Sequence, residues 1–342
     1  MSFGTWAWLF FLQEKETRVM SNKFMDKKIV DKMPKDYVEP LHMTYEEFLE
    51  VKDFPEGTRE LKTDLKPSYP QVLLNVVYAN KENKNLHLQI IEPASLEGDD
   101  NNKTYPLIMW VQGSAFHKQS LGDHMAHMIE VAKPGFVVAM VEYRYAPEDA
   151  FPVQVRDLNT ATRFMLEHAA QYHVDKNNYL VWGDSSGGHT VSLATVTEDE
   201  QFFSDEDIST LPLHFKACVD FYGPTDISYM NKVPSTQDHV TSHSLEGEFF
   251  GSKNIYDHPK LVQKANPAKH LHGKKLPPFL IMHGTKDRLV PFEESKLFYE
   301  ALKANDDQVD FYAVKGSDHG SDAFFTPEAL KIVFNFINSH LR

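Results

Sequence analysis

Gly183-Asp184-Ser185-Ser186-Gly187 is the run in this 342-residue chain whose residue types and spacing could do covalent chemistry. Read as G-x-S-x-G, it puts a glycine two residues either side of Ser185. A sharp strand-to-helix turn exposes a serine hydroxyl to a reacting carbonyl, and such a turn leaves no room for β-carbons at the flanking positions. The apolar stretch Tyr179 to Trp182 reads as the strand. Thr190 to Val196 reads as the helix, whose free N–H groups favour developing negative charge at its start. Alone, the pentapeptide also fits a plain Gly/Ser loop, and partners elsewhere in the chain must decide.

A serine hydroxyl is a poor nucleophile until a base takes its proton. The base in turn needs a carboxylate to fix its tautomer and support the imidazolium. Among 17 histidines, His319 is the informative one, because Gly316-Ser317-Asp318-His319-Gly320 joins the last expected strand to the last expected helix. The carboxylate candidate is Asp287, in His283-Gly284-Thr285-Lys286-Asp287-Arg288. The chain order Ser, Asp, His suits a G-x-S-x-G turn. Asp287 could instead cap the following helix or pair with Arg288, and Asp318 is the rival carboxylate. Earlier in the chain, Gln112-Gly113-Ser114-Ala115-Phe116 follows a strand with residues small enough for backbone N–H groups to approach a carbonyl oxygen. The N–H groups of Ser114, Ala115 and Ser186 are the oxyanion-hole candidates, with an ordinary turn as the alternative.

The elements that must hold these residues alternate. Strands are expected at 71–79, 85–91, 106–112, 136–143, 179–182, 215–222, 278–283 and 309–314. Helices are expected at 125–132, 157–172, 190–196, 292–304 and 327–341. This rhythm predicts an α/β fold, a mostly parallel sheet with helices on both faces. Active sites in such sheets lie at the carboxyl ends of the strands, and Gly113, Ser185, Asp287 and His319 each follow an expected strand. Residues 1–68 are charged and irregular and read as an N-terminal arm. A short helix is expected there at Thr44 to Val51, with Thr44 as N-cap and Glu47 three residues on. Residues 69–342 read as one catalytic domain, interrupted at about 224–277 by an insertion rich in His, Ser, Asn and Pro, in the usual place of a lid. Phe116, Phe249 and Phe250 are the substrate-pocket candidates, with ordinary packing as the alternative.

Lys and Arg number 35 against 49 Asp and Glu, a net charge of −14. That balance argues against nucleic acid or an anionic membrane as partner. The one cysteine, Cys218, excludes an internal disulfide and leaves no oxidising-compartment signature. It sits in an apolar run and reads as a small buried hydrophobe. Met1 to Leu12 is aromatic and apolar, but has no basic lead or small-residue cleavage site and is too short to span a bilayer. A cytoplasmic location is therefore the expectation. Asp123-His124-Met125-Ala126-His127 has metal-like spacing, but no further ligands cluster with it, so no metal or cofactor is expected.

Residues 72–342 resemble the α/β-hydrolase superfamily. Within it they are similar to the hormone-sensitive-lipase-like esterases, and more closely to the bacterial feruloyl/acetylxylan-esterase-like branch. The motifs that carry the resemblance begin with Val111 to Phe116, Tyr143-Arg144-Tyr145-Ala146-Pro147-Glu148, Phe151-Pro152 and Asp157. Trp182 to His189, Phe221 to Asp226, His283 to Asp287 and Asp318-His319-Gly320 complete them. The resemblance implies Ser185 as nucleophile, Asp287 as acid and His319 as base, and structural roles for Tyr143-Arg144 and Asp157. This chain departs from the family where the broader group carries His-Gly-Gly-Gly or His-Gly-Gly-Ala. It has Gln-Gly-Ser-Ala, which keeps the backbone role without carrying over lipase specificity. The expectation is a serine carboxylesterase for a small-molecule ester with a short-acyl or hydroxycinnamoyl group, with a homodimer left open. The alternatives are an amide or peptide hydrolase (arylformamidase or prolyl-peptidase-like) and a non-catalytic small-molecule-binding hydrolase fold.

Overall fold

Alternate residues of the central strands face opposite ways, and in this chain both faces are apolar. Leu107, Met109, Val111, Val181 and Ile281 enter one buried core; Ile108, Trp110, Leu180, Trp182, Leu280 and Met282 enter another. A strand that is apolar on both faces must be covered on both, which is the reason for the layered architecture. The computed structural model describes residues 33–34, 36–38, 40–63, 69–94 and 103–341. The chain divides into two compact units, Met1–Thr63 and Asp64–Arg342.

The second unit holds eight strands: β1 (Gln71–Lys81), β2 (Lys84–Glu92), β3 (Tyr105–Val111), β4 (Val137–Val141), β5 (Val174–Asp184), β6 (Cys218–Phe221), β7 (Phe279–Gly284) and β8 (Val309–Val314). They form one sheet in the order β1-β2-β4-β3-β5-β6-β7-β8. β1 pairs antiparallel with β2 and β2 antiparallel with β4, while every pairing from β4 to β8 is parallel. The helices are α1 (Met125–Ala132), α2 (Val153–Glu167), α3 (Ser186–Val196), α4 (Leu245–Phe249), α5 (Pro259–Lys264), α6 (Phe292–Ala304) and α7 (Pro327–His340). Val155 of α2, Val191 of α3 and Phe298 of α6 pack on one face of the sheet; Met128 of α1 and Val333 of α7 pack on the other. This is the α/β-hydrolase fold. All residues of α3 are buried, so the helix behind Ser185 is held on every side.

Several expected boundaries move, among them the start of β5 to Val174 and of α3 to Ser186, and three changes have a visible cause. The first is α2, which begins at Val153 rather than at residue 157. Its first turn looks polar in sequence, yet Gln154 and Asp157 are buried because partners satisfy them: Gln154 donates to the Asp149 carbonyl at 3.3 Å, and Asp157 accepts from Arg144. The second is β6, which is shorter than 215–222 because the Phe215 N–H turns out of the ladder to the Glu198 carboxylate at 2.8 Å. The third is the helix expected at Thr44 to Val51, which is a single turn. Its capping box does form: the Thr44 N–H donates to Glu47 Oε2 at 2.9 Å and the Glu47 N–H to Thr44 Oγ1 at 3.3 Å. Two bonds at one end do not offset the cost of ordering a short exposed helix. The insertion at 224–277 contains α4, α5 and a 3₁₀ turn at Pro267–Lys269. The reading of Met1 to Leu12 lies outside the described residues.

Candidate active site

Ser185 sits between the end of β5 and the start of α3 with φ 51° and ψ −125°, a strained conformation for a residue with a side chain. Its neighbours explain how the strain is held. The Ser185 N–H donates to the Phe221 carbonyl at 2.8 Å, and the His189 N–H closes the first helical turn on the Ser185 carbonyl at 3.0 Å. The turn is so tight that a β-carbon on Gly183 would lie 2.4 Å from the Gly187 carbonyl oxygen, and one on Gly187 would lie 1.9 Å from that of Val111. Both glycines of the motif are thus sterically required.

Two other loops at the same end of the sheet bring His319 and Asp287 to Ser185. His319 Nε2 lies 2.8 Å from Ser185 Oγ, and His319 Nδ1 lies 2.7 Å from Asp287 Oδ2. The Asp287 side chain is fully buried. Its Oδ1 accepts the N–H groups of Leu289 and Val290, both at 2.9 Å, and its Oδ2 faces His283 Nε2 at 3.3 Å. Burial opposes ionisation here, but the bonds from His283 and His319 outweigh it and hold the carboxyl well below the usual carboxylate range. An ionised carboxylate only accepts, so His319 Nδ1 carries the proton and Nε2 presents its lone pair to the Ser185 hydroxyl. The rival Asp318 is directed elsewhere: its carboxylate grips Arg288, at 2.7 Å from Nε and 2.6 Å from Nη2, on the surface.

The oxyanion segment is pinned at two points. The Gly113 N–H donates to Asp184 Oδ1 at 2.7 Å, and the Ser114 N–H donates to Ser186 Oγ at 2.9 Å. Ala115 and Phe116 then take left-handed φ values of 54° and 64°. Ser114 therefore differs from expectation, because its N–H is already engaged by a neighbouring hydroxyl. Among the described residues, the N–H groups of Ala115 and Ser186 have no acceptor. The pocket expectation also changes. Phe116, Phe249 and Phe250 are each 1 % exposed, with Phe116 stacked on Phe249 at 3.8 Å between ring centroids. They pack beneath the site as part of the core and do not line an open pocket.

Asp184 is a residue the motif did not single out. It is buried, anchors Gly113 through one oxygen and takes the Tyr222 hydroxyl at 3.3 Å on the other. Burial pushes its pKa up, while His124, with Nε2 at 3.9 Å, and the Gly113 N–H oppose that. An acid placed between a buried strand and the tight turn at Ser185 needs such partners, and that position was its sequence signal. His127 stacks on Phe325 at 4.3 Å. Among the described residues, no group of three or more His, Cys, Asp or Glu side chains could hold a metal ion. Cys218 is buried and free, with its thiol pKa raised by burial. A cavity of about 620 Å³ lies beside the acid loop, lined in part by Ser235, Thr236, Lys286, Asp287, Arg288 and Asp318.

The fold and this convergence of three loops on the strand-to-helix turn at Ser185 are those of an α/β-hydrolase. The BD-FAE family matches residues 95–302, and the chain belongs to it. Esterase LipC of Mycobacterium tuberculosis is 27 % identical over 226 residues, 66 % of this chain and 55 % of that protein. A probable isoprenylcysteine alpha-carbonyl methylesterase ICME of Oryza sativa is 26 % identical over 262 residues, covering 74 % and 59 %. The chain thus spans just over half the length of these relatives. In structure, it is similar to a truncated carbohydrate esterase from gut microbiota (TM-score 0.68, 24 % identity, 80 % of this chain and 96 % of that one). It is also similar to esterase Est2 of Thermogutta terrifontis (TM-score 0.62, 23 % identity, 79 % and 91 %). At these identities the structural likeness speaks for the fold. No helix among the described residues is long and apolar enough to cross a membrane.

Proposed function

We propose that this chain is a carboxylic ester hydrolase that works through Ser185, His319 and Asp287. The observation that carries the reading is the unbroken hydrogen-bond chain from Ser185 Oγ through His319 to Asp287. His319 Nε2 takes the serine proton as Ser185 Oγ bonds to the ester carbon. The carbonyl pair moves onto oxygen, beside the unsatisfied N–H groups of Ala115 and Ser186. Collapse expels the alcohol, which takes the proton from His319, and leaves an acyl-enzyme. Water then attacks that ester, giving its proton to His319, and Ser185 recovers the proton as the acid leaves. Relatives named as esterases support the same reaction class.

For substrate, the reading is a short acyl group on a polar alcohol. Phe116, Phe249 and Phe250 fill the space beneath the site with their own rings, which favours acetyl to butyryl over long chains. Ser235, Thr236 and Lys286, at the otherwise largely apolar cavity beside the Asp287 loop, offer polar partners to a hydroxylated alcohol. Hydroxycinnamoyl esters rest on the family resemblance alone. A series of nitrophenyl esters of rising acyl length, run beside methyl ferulate and acetylated xylo-oligosaccharides, tests this. The highest kcat/KM is expected between acetyl and butyryl. A maximum at octanoyl or longer contradicts the short-acyl reading.

A further inference from the structure

Behind the oxyanion segment lies a ring of hydroxyls whose donors and acceptors can be assigned by elimination. Ser114 Oγ lies 2.6 Å from the His117 carbonyl, which can only accept, so the Ser114 hydroxyl proton is spent there. Ser114 Oγ is also 2.8 Å from Tyr143 Oη, and with its own proton used it must accept the tyrosine proton. Tyr143 Oη is 3.4 Å from Ser186 Oγ and accepts from it in turn. Ser186 Oγ accepts the Ser114 N–H at 2.9 Å, closing the ring. Tyr143 and Ser186 are each 1 % exposed, so water does not compete for the bond between them. Burial pushes the phenol up to about 12, with both serine hydroxyls opposing the shift, so it stays a donor through the neutral range.

The ring meets the reaction at two atoms. Ser186 supplies one of the two N–H groups without an acceptor, and Ser114 immediately precedes Ala115, which supplies the other. Ala115 and Phe116 occupy left-handed backbone conformations that residues with a β-carbon adopt only when the surroundings impose them. Gly113, on the other side, is fixed independently by Asp184.

We infer that Tyr143 is a positioning residue for the oxyanion site: through Ser114 and Ser186 its hydroxyl holds the Ala115 and Ser186 N–H groups at the spacing a carbonyl oxygen requires once it becomes charged. This deepens the ester-hydrolase reading and rests on it. Tyr143 touches no reacting atom in this account. Its effect should appear only where an oxyanion forms.

The test compares Tyr143→Phe, Ser114→Ala and the double variant with the unaltered protein. Turnover of nitrophenyl acetate is measured together with inhibition by a trifluoromethyl ketone and by the matching methyl ketone. The fluorinated ketone captures Ser185 Oγ at its carbonyl carbon and becomes an oxyanion, the serine proton passing to His319; the methyl ketone stays largely neutral. Each single variant should lose about tenfold in kcat and in affinity for the fluorinated ketone, less than the ~10²–10³ lost with an oxyanion donor itself. KM and methyl ketone affinity should stay within about twofold, and the double variant should fall no further than the singles because the residues share one network. Equal weakening toward both ketones would mean a general structural defect, and unchanged or additive effects would also overturn the inference. If Tyr143→Phe does not fold, Ser114→Ala carries the same comparison. A fluorophosphonate probe distinguishes the two levels. If it labels Ser185 in the unaltered protein while the variants behave like it, the network proposal alone fails. If it does not label Ser185, the ester-hydrolase reading fails and takes the proposal with it.

Discussion

Two opposing influences meet on the Asp287 carboxyl. Burial favours its neutral form; the bonds from His283 and His319 favour the anion and prevail. A carboxyl depressed in the folded state contributes stability that is full above its unfolded value, about pH 4, and is lost as pH falls through the lower folded value. Asp287→Asn should therefore cost stability near neutrality, and the difference from the unaltered protein should shrink below about pH 4 in thermal melts. The same variant should lose about 10⁴ in turnover, because an amide can hold the wrong imidazole tautomer. Asp318→Asn, on a surface pair with Arg288, should stay within about tenfold. If Asp318→Asn is the crippling change, the acid is misassigned. That Ser185, His319 and Asp287 would meet at one end of the sheet was legible because motif spacing and placement after strands are one-dimensional facts. That Ser114 had already given up its N–H was not legible, since the acceptor lies 72 residues away, on Ser186.

Helix α6 carries a polar residue that no sequence pattern explains. Glu294, in its first turn, is buried; Oε2 accepts the Asp226 N–H at 2.6 Å and Oε1 has no partner among the described residues. A helix start favours an anion, but burial wins and raises the pKa well above the usual value, with Asp226, Glu246 and Glu293 adding to it. For an acid raised in this way, stability is greatest at low pH, where both states are protonated, and falls as pH rises above the unfolded value of about 4.3. Glu294→Gln removes that titration and keeps an acceptor for Asp226. It should raise the unfolding midpoint, with a gain that grows between roughly pH 5 and pH 8. A constant loss across that range would show that the carboxyl is ionised and paired. The ends of α1, α6 and β8 follow directly from apolar periodicity and breakers. The start of α2 does not, because Gln154 and Asp157 are polar residues whose burial rests on Asp149 and Arg144 in the irregular segment before the helix.

Across the molecule, Asp157 ties distant parts of the second unit together. It is fully buried and accepts from the Arg144 N–H and Nη2, both at 2.8 Å, with Lys81 Nζ at 3.2 Å. The cluster joins α2 to the end of β1 and to the segment after β4. Asp157→Ala leaves the buried Arg144 only its longer contacts to Asp205 at 3.4 Å and Glu82 at 3.5 Å, so it should cost about 3 kcal/mol. A denaturant melt close to that of the unaltered protein would contradict this. Parallel strands with helical crossovers were legible from the alternation of elements, but the strand order was not, since nothing local to β2 says that it pairs antiparallel with β4. That sheet delivers the loops after β3, β5, β7 and β8 to one place, and the central claim is that Ser185 is the atom they converge on. The most direct test is covalent capture: a fluorophosphonate added to the unaltered protein and to Ser185→Ala, followed by peptide mass mapping and turnover of nitrophenyl acetate. The account predicts one label, on Ser185, no label in the variant, and a loss of turnover of about 10⁴ or more. A folded Ser185→Ala protein with near-normal turnover, or a label on Ser186, would contradict it.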